Sequence, residues 1–212
     1  MERRRGLWLI DGGYLWSSQT SVEPGYQFDY RKLRAHVEND GPIWRAYFLN
    51  SVPMPVSDQQ AAFHNWLRSA PPFGPKIITK LYPLRNVAAH RARCEACGEN
   101  VSLECPHGRG APDHRLSRQE QKGVDVGIAT LALALVDEYD TLILSSGDAD
   151  LLDAIEHLCE RGKQFELVVF RVGVSTELQS RADRIYWIDD MRNEVRNVRR
   201  SASVEVADTL AN

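Results

Sequence analysis

Short apolar runs alternate along the chain with stretches of helical periodicity, and this alternation predicts an α/β fold. The runs read as strands because each is bounded by a turn signal such as Gly, Pro or Asp. The predicted strands are 7–10, 43–49, 76–82, 141–145, 165–170 and 184–188. Strands that are apolar throughout and separated by helices are typical of a mainly parallel sheet with helices on both faces.

The predicted helices begin and end at recognisable signals. Ser57 is followed three residues later by Gln60, the spacing of a capping box, and Gly162 is placed to end a helix. Helices are predicted over 30–38, 57–68, 123–138, 149–161 and 176–182.

Acidic residues follow two of the predicted strands. Asp11 ends the first strand, and Asp148 and Asp150 follow the fourth in "LSSGDADLL". In an open α/β sheet the functional crevice lies beyond the carboxyl ends of the strands, so these carboxylates should share one edge. Asp125, in the first turn of the helix before the fourth strand, should face the same edge. Such a cluster favours a Mg²⁺ or Mn²⁺ site.

Each of these aspartates also has a structural interpretation. Asp125 would be favoured near a helix N-terminus by the macrodipole alone. Asp148 or Asp150 could be the N-cap of the following helix. One residue suffices for that cap, so the second carboxylate remains to be explained.

Residues 85–121 lose all periodicity and carry no apolar core, which indicates an insertion. The spacing Cys-x-x-Cys-Gly followed by Cys-Pro-His is typical of a zinc knuckle. The predicted structural Zn²⁺ ligands are Cys94, Cys97, Cys105 and His107, with His90 and His114 as rival fourth ligands. The alternative is free thiols on a loop. Cys159 stands apart and is expected to be a core residue.

Arginines surround these cysteines and give a local basic surface suited to phosphate contacts. The expected RNA-binding residues here are Arg91, Arg93 and Arg109, with Arg85, Arg115 and Arg118 nearby. Lys122 is a further candidate for a phosphate contact, and Ser175 is another. A solvated charged surface explains the arginines and Lys122 equally, and an N-cap explains Ser175.

Four ordered motifs resemble those of the NYN domain family of PIN-like proteins. They are "LIDGGYL" (9–15), "KGVDVGIATLAL" (122–133), "LSSGDADLL" (144–152) and "VGVSTELQSRADRIYWID" (172–189). The resemblance implies a PIN-like three-layer α/β/α sandwich, RNA as substrate, and an Mg²⁺ or Mn²⁺ site. Carried over by position, its aspartates are Asp11, Asp125, Asp148 and Asp150. Asp183 resembles a further family aspartate and is expected near the edge in a structural role.

The chain departs from the family at two positions. Tyr14 stands where many members have Asn, and Thr130 stands where many have another aspartate in the helix. The expected function is a metal-dependent endoribonuclease, with one or two cations. The alternative is a catalytically weak RNA-binding or scaffold protein that keeps the fold. A small-molecule phosphohydrolase is disfavoured because "LIDGGYL" lacks a second aspartate near Asp11.

Length and charge fit this interpretation. The 212 residues suit an NYN domain over 1–190, interrupted by the insertion at 85–121, and a polar C-terminal tail over 191–212. Because the net charge is −3, RNA would have to bind to a local basic patch. The apolar stretches at 7–10 and 126–136 are too short for a signal peptide core or a membrane span. A cytoplasmic protein without membrane partners is expected, with a homo-oligomer as one option for its assembly.

Overall fold

A parallel sheet of six strands runs through the centre of the protein. The structure, a computed structural model, describes residues 5–108, 114 and 116–197. Within them the strands are β1 (Gly6–Asp11), β2 (Ile43–Val52), β3 (Ile78–Pro83), β4 (Arg85–Ala88), β5 (Arg91–Arg93), β6 (Asn100–Ser102), β7 (Ser117–Glu120), β8 (Thr141–Ser145), β9 (Gln164–Val169) and β10 (Arg184–Trp187). The central sheet has the order β10-β9-β8-β1-β2-β3, and every neighbouring pair is parallel.

Helices cover both faces of this sheet. They are α1 (Gly12–Ser18), α2 (Tyr30–Glu38), α3 (Asp58–Arg68), α4 (Val124–Ala134), α5 (Leu152–Glu160), α6 (Thr176–Arg181) and α7 (Arg192–Val195), with 3₁₀ turns at Gln19–Ser21, Val136–Glu138 and Ala149–Leu151. One buried cluster joins α1, α2, α3 and α7 to the sheet, and a second joins α4, α5 and α6 to the opposite face. The predicted three-layer α/β/α sandwich is therefore confirmed.

The strand β1 shows why the sheet needs helices on both sides. Trp8 and Ile10 belong to the first buried cluster, whereas Leu7 and Leu9 belong to the second. Successive side chains of a strand point to opposite faces, so a strand that is apolar at every position must be covered twice.

Local signals place several helix ends where the sequence predicted them. Ser57 and Gln60 form both hydrogen bonds of the capping box before α3. Gly162 follows α5 in the left-handed region, with φ of +79°, which a residue without a side chain adopts at little cost. The helix predicted over 149–161 differs in its first turn, which is a 3₁₀ turn at Ala149–Leu151.

The insertion leaves and rejoins the sandwich at the carboxyl edge of the sheet. It begins after β3, forms the antiparallel pairs β4–β7 and β5–β6, and ends just before α4. Its strands are almost entirely exposed, which agrees with the absence of an apolar core in its sequence.

The packed region extends past residue 190. Met191 and Val195 are buried in the first cluster, and the backbone N–H of Asn197 donates to the carbonyl of Gln27. The residues 191–197 of the predicted polar tail therefore belong to the sandwich, and 198–212 lie outside the described residues. No described helix is both long and apolar enough to cross a membrane.

Asp183 lies at the amino edge of the sheet, not near the carboxyl edge as expected. It precedes β10, and its carboxylate accepts a 2.8 Å hydrogen bond from the backbone N–H of Phe165 at the start of β9. The Asp183 N–H donates in return to the Phe165 carbonyl at 2.8 Å. Its structural role is thus to join the first residues of two neighbouring strands.

We predict that Asp183→Ala lowers the free energy of unfolding by about 1–3 kcal/mol, because the N–H of buried Phe165 loses its acceptor. Urea denaturation of the variant and of Glu160→Ala, which removes an exposed carboxylate, measures the effect. Equal stability of the two variants would contradict it.

Candidate active site

Asp11 is held at the carboxyl edge by its position between β1 and α1. Its Oδ1 accepts a 3.0 Å hydrogen bond from the backbone N–H of Tyr14 and caps α1. The backbone passes directly from strand to helix, and a Cβ at Gly12 would lie 2.2 Å from the Phe48 ring. The glycine therefore lets α1 approach β2 closely, which orients the Asp11 carboxylate along the edge.

Asp148 and Asp150 lie on the turn after β8. Asp148 is the N-cap of the 3₁₀ turn, since its Oδ1 accepts a 2.9 Å hydrogen bond from the Asp150 N–H. The carboxylate of Asp150 receives no hydrogen bond from the described residues. The cap interpretation therefore explains one member of the pair and leaves the other without a structural role.

The backbone of this turn packs against the loop after β9. A Cβ at Gly147 would lie 1.7 Å from the Gly173 carbonyl oxygen, so only glycine fits there. The Ser175 N–H donates to the Gly147 carbonyl at 3.1 Å. These contacts fix the path of the chain just before Asp148.

Asp125 reaches the same edge from α4. It lies in the first turn and is half-buried, whereas its neighbour Val126 is 71% exposed. A Cβ at Gly127 would lie 2.1 Å from the Tyr82 hydroxyl, so this glycine lets α4 lie close to β3. The N-terminal end of α4 is thereby brought against the end of the sheet.

The aspartates influence one another electrostatically. The pKa of Asp11 is raised, first by burial and then by the charges of Asp125 and Asp148, against the lowering effect of the Tyr14 N–H. The pKa of Asp125 is raised by burial and by the charges of Asp148 and Asp150. The four predicted acidic residues therefore lie near enough at this edge for their charges to interact.

Within the described part of the chain, no basic side chain forms a salt bridge with these aspartates. Among the salt bridges between described residues, none involves Asp11, Asp125, Asp148 or Asp150. Nor are any three His, Cys, Asp or Glu side chains of the described chain close enough together to hold a metal ion. Carboxylates with raised pKa values and no cationic partner repel one another, and hard oxygen donors of this kind fit Mg²⁺ or Mn²⁺.

Ser51 is a residue of this edge that the sequence did not reveal. Its hydroxyl is buried and, among the described residues, has no hydrogen-bond partner. Asp11 pairs with Leu49 of β2, so Ser51 lies two residues further, on the same face and about 8 Å from Asp11 by strand geometry. A buried hydroxyl without a partner is costly, and it fits a place where a hydrated cation or a phosphate is bound.

Neither departure from the family supplies a polar ligand at the edge. The Tyr14 hydroxyl donates to the carbonyls of Phe170 and Val172, at 3.0 and 3.2 Å. Tyr14 thus anchors the loop after β9 to α1. Thr130 is exposed on α4, five residues beyond Asp125.

The candidate RNA-binding residues differ in their surroundings. Lys122 precedes α4 and forms a 3.3 Å salt bridge with Glu120. Ser175 caps α6 through a 3.2 Å hydrogen bond from the Leu178 N–H, so its N-cap interpretation is confirmed. Arg91 and Arg93 are exposed on β5 of the insertion, and Arg109 lies outside the described residues. Their contacts with RNA stay predictions.

The candidate zinc ligands of the insertion lie in two separate pairs. Cys94 and Cys97 lie in one turn, where the Gly98 N–H donates to the Cys94 carbonyl. The pKa of Cys94 is lowered by hydrogen bonds from the backbone and side chain of Cys97 and from the backbone of Ala96. The Cys105 sulfur lies 3.5 Å from Nδ1 of His114. The structure therefore pairs Cys105 with the rival ligand His114, and His107 forms no such contact within the described residues.

The α/β/α sandwich with an acidic carboxyl edge defines a PIN-like class of protein. The NYN domain family matches residues 8–189, and the chain belongs to this family. NYN domains are PIN-like members of a nuclease family that acts on RNA.

A solved structure with the same fold comes from Vibrio parahaemolyticus. It is 19% identical, has a TM-score of 0.60, and the alignment covers 92% of this chain and 97% of that chain. That protein is described as being of unknown function, so the similarity shows the fold alone. No curated protein matches this chain.

We predict that Asp11→Asn raises the melting temperature by a few degrees at neutral pH in chelator. Because the folded-state pKa of Asp11 is raised, its protonated form favours folding. Its contribution is fully present below the unfolded pKa of about 3.9 and is lost as the pH rises through the folded value. Asn keeps the cap, so only the charge changes.

Thermal melts from acidic to neutral pH check this expectation. The gain should be absent at low pH and should be much smaller for Asp153→Asn, an exposed aspartate of α5. A gain that is equal at every pH would show that charge is not its cause.

Proposed function

We propose that this protein is a metal-dependent endoribonuclease that hydrolyses phosphodiester bonds at the carboxyl edge of the sheet. The observation that carries the proposal is the group of four aspartates at this edge, where burial and then neighbouring carboxylates raise the pKa of Asp11 and Asp125 and no described basic side chain forms a salt bridge with them. A fold does not maintain such repulsion for stability, so the cluster is best explained by a positively charged ligand.

Asp11, Asp125, Asp148 and Asp150 would hold Mg²⁺ or Mn²⁺. A bound cation neutralises the charge that develops on the phosphate and lowers the pKa of the attacking water. The chain positions the ligand oxygens. Asp11 is fixed by the Tyr14 N–H, and Asp148 is fixed by the Asp150 N–H. Asp150, whose carboxylate receives no hydrogen bond from the described residues, is free to turn toward the cation or to accept a proton.

RNA would approach along the insertion. Both ends of the insertion join the sandwich at the acidic edge, and Arg91 and Arg93 are exposed on it. Arginine suits bidentate contact with phosphate, and Lys122 and Arg109 extend the same positive character by their positions in the chain. Ser175 lies beside the Asp148 turn, where its N–H already holds Gly147.

The second candidate is an RNA-binding or scaffold protein with little catalytic power. Tyr14 favours it, because its hydroxyl is bonded to two carbonyls and supplies no amide to the acidic edge. Both candidates bind RNA, so cleavage in the presence of a divalent cation separates them.

We predict that wild-type protein cleaves RNA with Mn²⁺ and that Asp148→Asn lowers the rate by orders of magnitude. Asn keeps the N-cap of the 3₁₀ turn but loses the charge that holds the cation. Gel assays of labelled RNA, with and without Mn²⁺, measure the rates. The matched control is Asp153→Asn, which removes a nearby exposed carboxylate.

Mn²⁺ should also raise the melting temperature of the wild type and of Asp153→Asn. The increase should be much smaller for Asp148→Asn. If Mn²⁺ stabilises none of them and the wild type cuts no RNA, the scaffold candidate is correct.

We also propose that Zn²⁺ holds the insertion together through Cys94, Cys97 and Cys105. The fourth ligand would be His114, which the structure pairs with Cys105, in place of His107. Thiolate and imidazole donors fit Zn²⁺, and the lowered pKa of Cys94 favours its thiolate form. A closed site of this kind would have a structural role.

We predict one zinc per chain in protein purified without added metal. Cys97→Ser and His114→Ala should lower the zinc content, whereas His107→Ala should keep it. Because neither buried cluster includes a described residue of 85–121, loss of zinc should loosen the insertion and leave the sandwich folded. Elemental analysis measures the zinc, and a zinc content near zero in the wild type would refute the site.

A further inference from the structure

Trp16 differs from the other four tryptophans of the chain. Its side chain is 68% exposed on α1, and it belongs to neither buried cluster. Trp8 is fully buried and donates its indole N–H to Ser145 at 3.0 Å. The Trp16 indole is therefore a large aromatic surface in contact with solvent.

The remaining partly exposed tryptophans each carry an arginine over the ring. Trp44 is covered by Arg5 and Arg45, Trp66 by Arg31, and Trp187 by Arg171, at 4.4–5.9 Å from the ring centres. Among the described residues, no cation or aromatic ring covers Trp16. Most of its side-chain surface is therefore available to a planar ligand.

The position of Trp16 connects it to the acidic edge. Asp11 caps α1, so Trp16 lies about 7–8 Å further along the helix axis. Gly13, three residues before Trp16, lies on the same side of the helix. A Cβ at Gly13 would be 3.3 Å from Asp11 Oδ1 and 3.4 Å from Gln121 Oε1. This side of α1 therefore runs from the carboxylate past Gly13 to the indole, next to the base of the insertion.

We infer that Trp16 is a stacking platform for an unpaired base of single-stranded RNA bound at the acidic edge. This inference rests on the proposed ribonuclease function and names its substrate class. Stacked nucleotides rise by about 3.4 Å each, so the indole lies within about two nucleotides of the phosphate at Asp11. A base inside a duplex is already stacked on both faces, so the platform favours single strands.

Binding measured in the absence of cleavage tests this inference. All proteins carry Asp148→Asn so that RNA stays intact, and the probe is a fluorescein-labelled oligoadenylate read by anisotropy. Adding Trp16→Ala should weaken binding about 5- to 150-fold, the range for loss of one stacked base. Trp16→Phe should retain most of the affinity.

Three controls separate stacking from other causes. Phe73→Ala removes an aromatic ring that is 78% exposed near the amino edge of the sheet, and it should change nothing. An abasic ribose-phosphate oligomer should bind Trp16→Ala and its parent equally. The slope of affinity against salt should be unchanged by Trp16→Ala, because that slope counts phosphate contacts.

The outcomes are distinct from those of the cleavage assay. Binding that depends on Trp16, with no cleavage by the wild type, supports the platform and refutes the nuclease. The inference is overturned if Trp16→Ala binds the oligoadenylate as tightly as its parent, or if no RNA binds at all. It is also overturned if duplex and single strands lose affinity equally, or if Trp16→Ala only changes the oligomeric state, since Trp16 would then contact protein.

Discussion

The uniform direction of the six central strands is the constraint on which the rest of this molecule depends. Parallel strands end at one edge, so residues that follow different strands become neighbours although they are far apart in sequence. Asp11 follows β1, and Asp148 follows β8 more than half the chain later, yet the charge of one raises the pKa of the other. The site is a consequence of the topology.

Close backbone contacts turn this shared edge into a defined arrangement. Gly12 lets α1 approach β2, Gly127 lets α4 approach β3, and Gly147 lets the β8 turn lie against the loop after β9. Larger residues at these positions would push outward the helix or turn that carries each aspartate. Close packing therefore opposes the repulsion among the aspartates, because the elements that carry them cannot move apart without losing these contacts. A fold keeps an energetically costly site in position in this way.

The insertion adds a surface to this edge without adding to the core. Its two antiparallel strand pairs are exposed, and it leaves and rejoins the sandwich at the end of the sheet where the aspartates lie. In the proposed ribonuclease, exposed arginines of the insertion would attract the polyanion and the cation site would receive one phosphate. Trp16, on the helix capped by Asp11, would supply an aromatic surface. Under this proposal the three features together would bind a single nucleic-acid strand.

The sequence by itself predicted the six strands of the central sheet and their parallel arrangement, and it placed aspartates after two of them. Strands that are apolar at every position can be satisfied only between two layers of helices, and aspartates that follow such strands can only reach the carboxyl edge. The capping box at Ser57 and the stop at Gly162 were equally readable, because they depend on a few neighbouring residues.

Only the tertiary structure decided the features that depend on residues distant in sequence. Asp183 was placed at the amino edge by its bond to Phe165, and Val195 joined the core although its neighbours are polar. Ser51 lies on β2 two residues beyond Leu49, the partner of Asp11, and its buried hydroxyl has no hydrogen-bond partner among the described residues. The exposure of Trp16 was equally hidden, because an apolar residue in an amphipathic helix is ordinarily buried. Which residues cover a side chain depends on tertiary packing, and tertiary packing cannot be predicted from the local sequence pattern.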